Sequence, residues 1–174
     1  MNKHTLVVII ASVVIAISVG FSGWNIFASE QVDLMITEEY FSYFGLMNSG
    51  KISVCNPLPF YANFNEIRIS MIFDERSIGV LSFSEIQLEP NSEVEVQGTF
   101  TSENFKEAQY LSLHFDSMYN DVIPTRIDQE KMNVVTEIQT NIIGVIPYSV
   151  TNQYPGLEFW NVMEDREDYS CQSN

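Results

Sequence analysis

Along most of this chain, apolar and polar residues alternate with a period of two. Val32, Leu34 and Ile36 alternate with polar neighbours, and Ile67, Ile69, Met71 and Phe73 alternate with Glu66, Arg68 and Ser70. Val94, Val96, Gly98 and Phe100 are separated by Glu95, Gln97 and Thr99. Successive side chains of a strand point to opposite faces, so the pattern predicts strands with one face in a core and one in water. "FDERSIG" is expected to join two such runs as a hairpin, and "LEPNSE" to join the next two. The β-branched run from Met132 to Asn152 predicts two more strands that meet near Asn141 or Gly144. Pro147 marks the second of these as an edge strand or a bulge, because proline has no N–H for the ladder.

Three segments break the alternation. "TSENFKEAQYLSLHFDSMYND" opens with Asn104 three residues before Glu107, like a capping box, and Phe105, Ala108, Leu111 and Phe115 fall on one helical stripe. A helix is expected there, and a further short one at Gly156 to Met163. The third segment is the start of the chain, where Thr5 to Ser29 holds no charged residue and Leu6 to Phe27 is apolar or small almost throughout. That run is roughly 33 Å of helix, enough to cross a bilayer core, and it is longer than the apolar part of a cleaved signal peptide. An uncleaved anchor over residues 1–29 is the expectation, followed by one domain over 30–174. About seven short strands with turn signals between them, plus one packed helix, predict a mainly β antiparallel sandwich.

Lys3 precedes the anchor, whereas Glu30, Asp33, Glu38 and Glu39 follow it. The positive-inside bias then puts the N-terminus in the cytoplasm and the domain outside, in a single-pass layout. Ser12, Ala16 and Gly20 are spaced by four and share one face of the helix. That small-residue face is a candidate for helix–helix self-association. Residues 30–174 hold all 23 acidic and seven of the eight basic side chains, a net charge of −16. Such a surface repels nucleic acid and anionic lipid headgroups, so the expected partners are the membrane through the helix and, beyond it, another protein or a second copy.

Cys55 and Cys171 both fall on the outer side of this layout. A pair in an oxidising compartment is expected to form a disulfide, the alternative being two unrelated thiols.

Catalytic chemistry finds no footing in the sequence. The histidines are His4, beside the anchor, and His114, and neither a Gly-x-Ser-x-Gly elbow nor a His-Glu-x-x-His helix occurs. The acidic runs "EDREDYS" and "FDSMYND" lack the glycine of a calcium loop and read as solvated charge. "EEYFSYFGLM", from Glu38 to Met47, is the most aromatic stretch and reads as core packed under a sandwich edge. No catalytic residue, metal site or cofactor is expected.

One stretch speaks to family. In "KISVCNPLPF" a strand runs into Asn56-Pro57, where proline removes a ladder donor and Asn56 can bond the backbone two residues on and close a turn. Ile78-Gly79 and Pro90-Asn91-Ser92 follow in order, the latter before an alternating strand. This arrangement, over roughly Lys51 to Asn152 with Val32 to Asn48 as a first strand, resembles the late embryogenesis abundant type 2 family, the water-stress and hypersensitive-response domain. The loop after Asn56-Pro57 departs from the family in being aromatic, and the hairpin departs in being charged. The resemblance implies a sandwich of the immunoglobulin or fibronectin type III kind and no catalytic site. Asn56, Pro57, Ile78, Gly79 and Pro90 would be its structural motif residues. The function it implies is stress-associated binding or protection, and the rival reading is a subunit of a cell-surface filament or membrane complex.

Overall fold

A computed structural model of the protein describes residues 2–37, 40–120, 127–142 and 145–164, together with Cys171. The chain begins as a long helix, α1 (Lys3–Gln31), then a short strand β1 (Asp33–Met35) and a short helix α2 (Tyr43–Ser49). Strands β2 (Lys51–Asn56), β3 (Ala62–Phe73), β4 (Arg76–Leu88), β5 (Ser92–Gln97) and β6 (Thr99–Thr101) follow. Helix α3 (Phe105–Tyr119), strands β7 (Met132–Ile142) and β8 (Ile146–Pro155) and helix α4 (Gly156–Glu164) come last. The strands form two antiparallel sheets, one in the order β1-β2-β5 and the other β6-β4-β3-β7-β8. The mainly β architecture expected from the alternation is the one the chain adopts.

The core lies on one face of the larger sheet. Ile67, Ile69 and Met71 stand in register with Phe83, Leu81 and Gly79 of β4, and with Ile138, Thr136 and Val134 of β7. All of these are buried, and all but Gly79 and Thr136 share one apolar cluster with Ile52 and Val54 of the smaller sheet. Removing each such side chain from water is worth roughly 1.5–3 kcal/mol. The β3–β4 hairpin turns on Asp74 and Glu75, both at positive φ, and β8 with Pro147 is an edge strand. Asn104 caps α3 through the N–H of Glu107, and its amide reaches the Glu107 carboxylate.

Several expectations are corrected. "LEPNSE" does not join a hairpin: it carries the chain from β4 in one sheet to β5 in the other. The single strand read through Val94 to Phe100 is two, β5 and β6, and they belong to different sheets. The switch falls at Gly98, whose N–H donates to the Gly50 carbonyl at 2.7 Å. A Cβ on Gly98 would come within 2.7 Å of the Ser82 carbonyl oxygen, so only glycine passes there. Alternation cannot reveal the switch, because the apolar side chains face the same core from either sheet.

The first strand read over Val32 to Asn48 is only the three residues of β1, and α2 follows it. Ser42 caps α2 by accepting from the Gly45 N–H, and Gly50 ends it at φ 60°, in the left-handed region. Among the described residues there are four α-helices: α1, α3 and α4 fall where helices were expected, and α2 is the addition. Gly144, Glu38, Glu39, Asp121 and the acidic run after Glu164 lie outside the described residues.

Candidate functional site

The part of the molecule that departs most from an ordinary sandwich is the junction with α1. From Lys3 to Phe21 the helix is exposed except for a half-buried Ser18, and it is long and apolar enough to cross a membrane. Its last turns behave differently. Ser22, Asn25, Ala28 and Ser29 are buried, three or four residues apart, and so form one stripe. Asn25 Oδ1 accepts from the Asn63 N–H at the start of β3 (3.1 Å), and the Asn63 carbonyl accepts from Thr140 Oγ1 on β7 (3.1 Å). Trp24 stacks on Phe60 at 5.1 Å between centroids.

An asparagine in an apolar helix is costly unless its polar groups are paired. Here Asn25 satisfies a backbone donor at the sheet end, so the anchor and the domain are joined through the core. Ser12, Ala16 and Gly20 lie on the free length of the helix. At 100° per residue they face the side opposite that buried stripe.

A second cluster gathers aromatic rings from three distant segments. Phe41 lies 5.0 Å from Tyr43 and 5.0 Å from Trp160, and 5.8 Å from Phe159, each edge to face. Tyr119 of α3 closes on Trp160 at 5.3 Å. The Tyr43 hydroxyl donates to the Gly156 carbonyl at 2.6 Å, and burial, with Tyr119 and Asp116 nearby, raises its pKa. The Tyr119 hydroxyl is buried with no hydrogen-bond partner among the described residues, and burial pushes its pKa up to about 12. At neutral pH both phenols are protonated, and the cluster is core, as expected for the buried part of "EEYFSYFGLM".

Asp116 of α3 holds this cluster in place. It accepts from Ser42 Oγ (2.7 Å) and from the N–H groups of Tyr43 (2.7 Å) and Phe44 (3.0 Å), at the N-terminus of α2. Burial raises its pKa, against the lowering effect of these three donors. A raised folded pKa gives a contribution to stability that is full below the unfolded value and is lost as pH rises through the folded one. Asp116→Ala leaves two backbone donors and a hydroxyl without their acceptor, and is expected to cost about 2–3 kcal/mol. The deficit, read as chemical unfolding midpoints across pH, is expected to shrink as pH rises through the carboxylate range.

The motif residues separate into two groups. Asn56 is buried; its amide donates to the carbonyls of Phe60 (2.8 Å) and Glu89 (2.9 Å), and its oxygen accepts from the Leu58 N–H (3.2 Å). It thereby pins the loop after Pro57 to the turn containing Pro90, and the Asn91 N–H donates to the Leu58 carbonyl. Ile78 and Gly79 are elsewhere, at the start of β4, where a Cβ on Gly79 would strike the Phe100 ring at 2.1 Å. Cys55, beside Asn56, is bridged to Cys171 with their Cα atoms 5.7 Å apart.

Among the described residues, two of the surface grooves lie against the larger sheet. One of about 690 Å³ lies between β4, β6 and the N-terminus of α3, lined by Arg76, Ile78, Thr101, Ser102, Asn104 and Glu107. It sits at the end of the larger sheet away from the anchor. The other, of about 310 Å³, lies beside the anchor, between Ser29, Leu34, Thr136, Tyr154, Phe159 and Met163. His114 stacks on Tyr110 along α3, and no group of three metal-ligating side chains occurs among the described residues. Asn25, Asp116 and Tyr43 carry the junction and the cluster. Sequence reasoning passed over Asn25, whereas Tyr43 lies in the stretch read as core; Asp116, read within "FDSMYND" as solvated charge, is instead part-buried and accepts from three donors. The signal for Asn25 was present, since Ser22, Asn25 and Ser29 form a polar stripe inside an apolar helix.

No family model and no curated protein matches the chain. Among solved structures, the solution structure of AT1g01470 from Arabidopsis thaliana matches at 17% identity, over 71% of this chain and 76% of that one, with a TM-score of 0.20. A likeness at that level carries no argument about fold or function.

Proposed function

We propose that this is a single-pass membrane protein that displays a sandwich domain outside the cell, with a stress-associated binding or shielding role like that of late embryogenesis abundant type 2 proteins. The observation that carries the reading is the Asn25–Asn63 junction, through which an apolar helix of membrane-spanning length continues into the core of the sandwich. A helix tied in this way holds the domain close to the bilayer and presents the larger groove, at the opposite end of the sheet, to the surroundings. The Asn56 pin between the Asn-Pro loop and the proline turn supports the family likeness. The work is binding, without catalysis.

Orientation and role have separate tests. Protease added to intact cells is expected to digest the chain beyond Ser29 while sparing the extreme N-terminus, and protection of the whole domain would reverse the topology. A deletion strain is expected to lose viability on drying, with rescue by the full chain and none by a chain lacking α1. Equal survival of all three strains removes the stress role.

A second reading is a subunit of a surface filament or membrane complex, favoured by the free apolar length of α1 standing off the domain. Loss of a short leader before the apolar helix, found by N-terminal sequencing, would select it.

A further inference from the structure

We infer that the end of the sandwich around the anchor rests in the bilayer interface, with the tip of the β7–β8 hairpin as a second membrane contact beside α1. This rests on the reading of α1 as a membrane span. Two of the sequence segments that meet at this end are free of charge in a chain that otherwise carries 31 charged side chains, 8 basic and 23 acidic. No Asp, Glu, Lys or Arg occurs in residues 57–65, the loop and first residues of β3, or in residues 138–152, the hairpin ends of β7 and β8.

The register places them together. Asn63 of β3 bonds both Asn25 of the anchor and Thr140 of β7, two residues before the hairpin end at Ile142. Ser29 and Glu30 border the same groove as Thr136 and Ile138. The helix therefore runs antiparallel to β7, and its free apolar length leaves the domain in the direction in which the hairpin points.

The exposed side chains at this end are those of a membrane interface. Val145 is 78% exposed and Ile146 53%, and Ile146 is paired with Ile142 across the hairpin. Tyr61 is 58% exposed, and Trp24, stacked on Phe60, is 56% exposed. Tryptophan and tyrosine concentrate at the headgroup level, and exposed aliphatic residues beside a membrane helix gain by entering the acyl boundary. The opposite end of the sheet is charged, with Asp74, Glu75, Arg76, Asp128, Glu130 and Lys131. Glu89 stands level with Phe60 on the β4 side, so the seat is the β7–β8 side of the anchor.

The test uses the full chain in phosphatidylcholine vesicles, with the native disulfide intact and a nitroxide label on one added cysteine at a time. The positions are Val145→Cys at the hairpin, Ile15→Cys in the helix and Glu75→Cys at the charged end. Collision rates with oxygen, which partitions into lipid, are compared with those of a water-soluble nickel chelate. The oxygen-to-nickel ratio at residue 145 is expected to be severalfold above that at residue 75 and to approach that at residue 15.

A ratio at residue 145 equal to that at residue 75, with residue 15 in lipid, overturns the seating and leaves the anchor intact. A low ratio at residue 15 overturns both. A label at residue 145 shielded from oxygen and nickel alike would mean contact with a second copy, and also overturns the seating.

Discussion

Phe41→Ala is expected to lower the stability of the domain by about 3–5 kcal/mol, the range for deleting a buried ring from a core. Phe41 is 1% exposed and meets Tyr43, Phe159 and Trp160 edge to face. Its backbone N–H donates to the Glu164 carboxylate at 3.2 Å, so the segment before α2 and the end of α4 share the site. Truncation leaves a cavity among rings that are themselves fixed by Asp116 and by the Tyr43 hydroxyl, and the walls have little freedom to collapse. Tyr40→Ala, next in sequence but 72% exposed, is expected to change stability by less than about 0.5 kcal/mol. Chemical unfolding of the detergent-solubilised chain, followed by tryptophan fluorescence, measures both. A loss below about 1 kcal/mol for Phe41→Ala would mean that the cluster is loosely packed and that α4 is not held through it.

The strands with one buried face were legible because the burial of Ile67, Ile69 and Met71 depends on local parity alone. The same holds for α3, whose capping box sits within four residues, and for α1, whose length and lack of charge are one-dimensional facts. What stayed hidden depends on residues far apart in sequence. Nothing near Ser42 announces that Asp116, 74 positions away, supplies the acceptor for the first N–H groups of α2. The aromatic content of Tyr43 to Met47 suits a strand as well as a helix, so α2 was passed over.

The sheet change at Gly98 was hidden for another reason. Both sheets bury their apolar side chains in one core, and a two-residue period is blind to which sheet supplies the hydrogen bonds. The junction at Asn25 was half legible. Its polar stripe could be read in the sequence, but the partner, a backbone N–H on β3, could not.

Loss of the Cys55–Cys171 bond is the other change with a large expected effect. The two cysteines are 116 positions apart. Chain entropy puts the constraint lost from the unfolded state at about 4–5 kcal/mol, and measured losses for native disulfides at about 2–5 kcal/mol. The structure adds a local term. In β2, Ile52, Val54 and Asn56 alternate with Ser53 and Cys55, and every one of these five is buried. Cys55 is 0% exposed, so breaking the bond and releasing Cys171 from beside it uncovers that side of β2. Beside Cys55 the Ser53 hydroxyl donates to the Glu93 carboxylate, and the first turn after β2 is pinned by Asn56. The cost is therefore expected to fall on the β1-β2-β5 sheet before the larger one. Cys171→Ser is the cleaner variant, because it removes the bond without changing a residue inside β2. Cys55→Ala removes the bond and also trims a buried side chain, so it is expected to cost the same or slightly more. The double variant should cost no more than Cys55→Ala alone, since each single change already abolishes the one interaction they share. Thermal unfolding of the oxidised chain, the reduced chain and the three variants gives all the comparisons, with hydrogen exchange showing whether β2 and β5 open first. Equal midpoints for oxidised and reduced protein would mean that the bond constrains nothing the fold does not already hold.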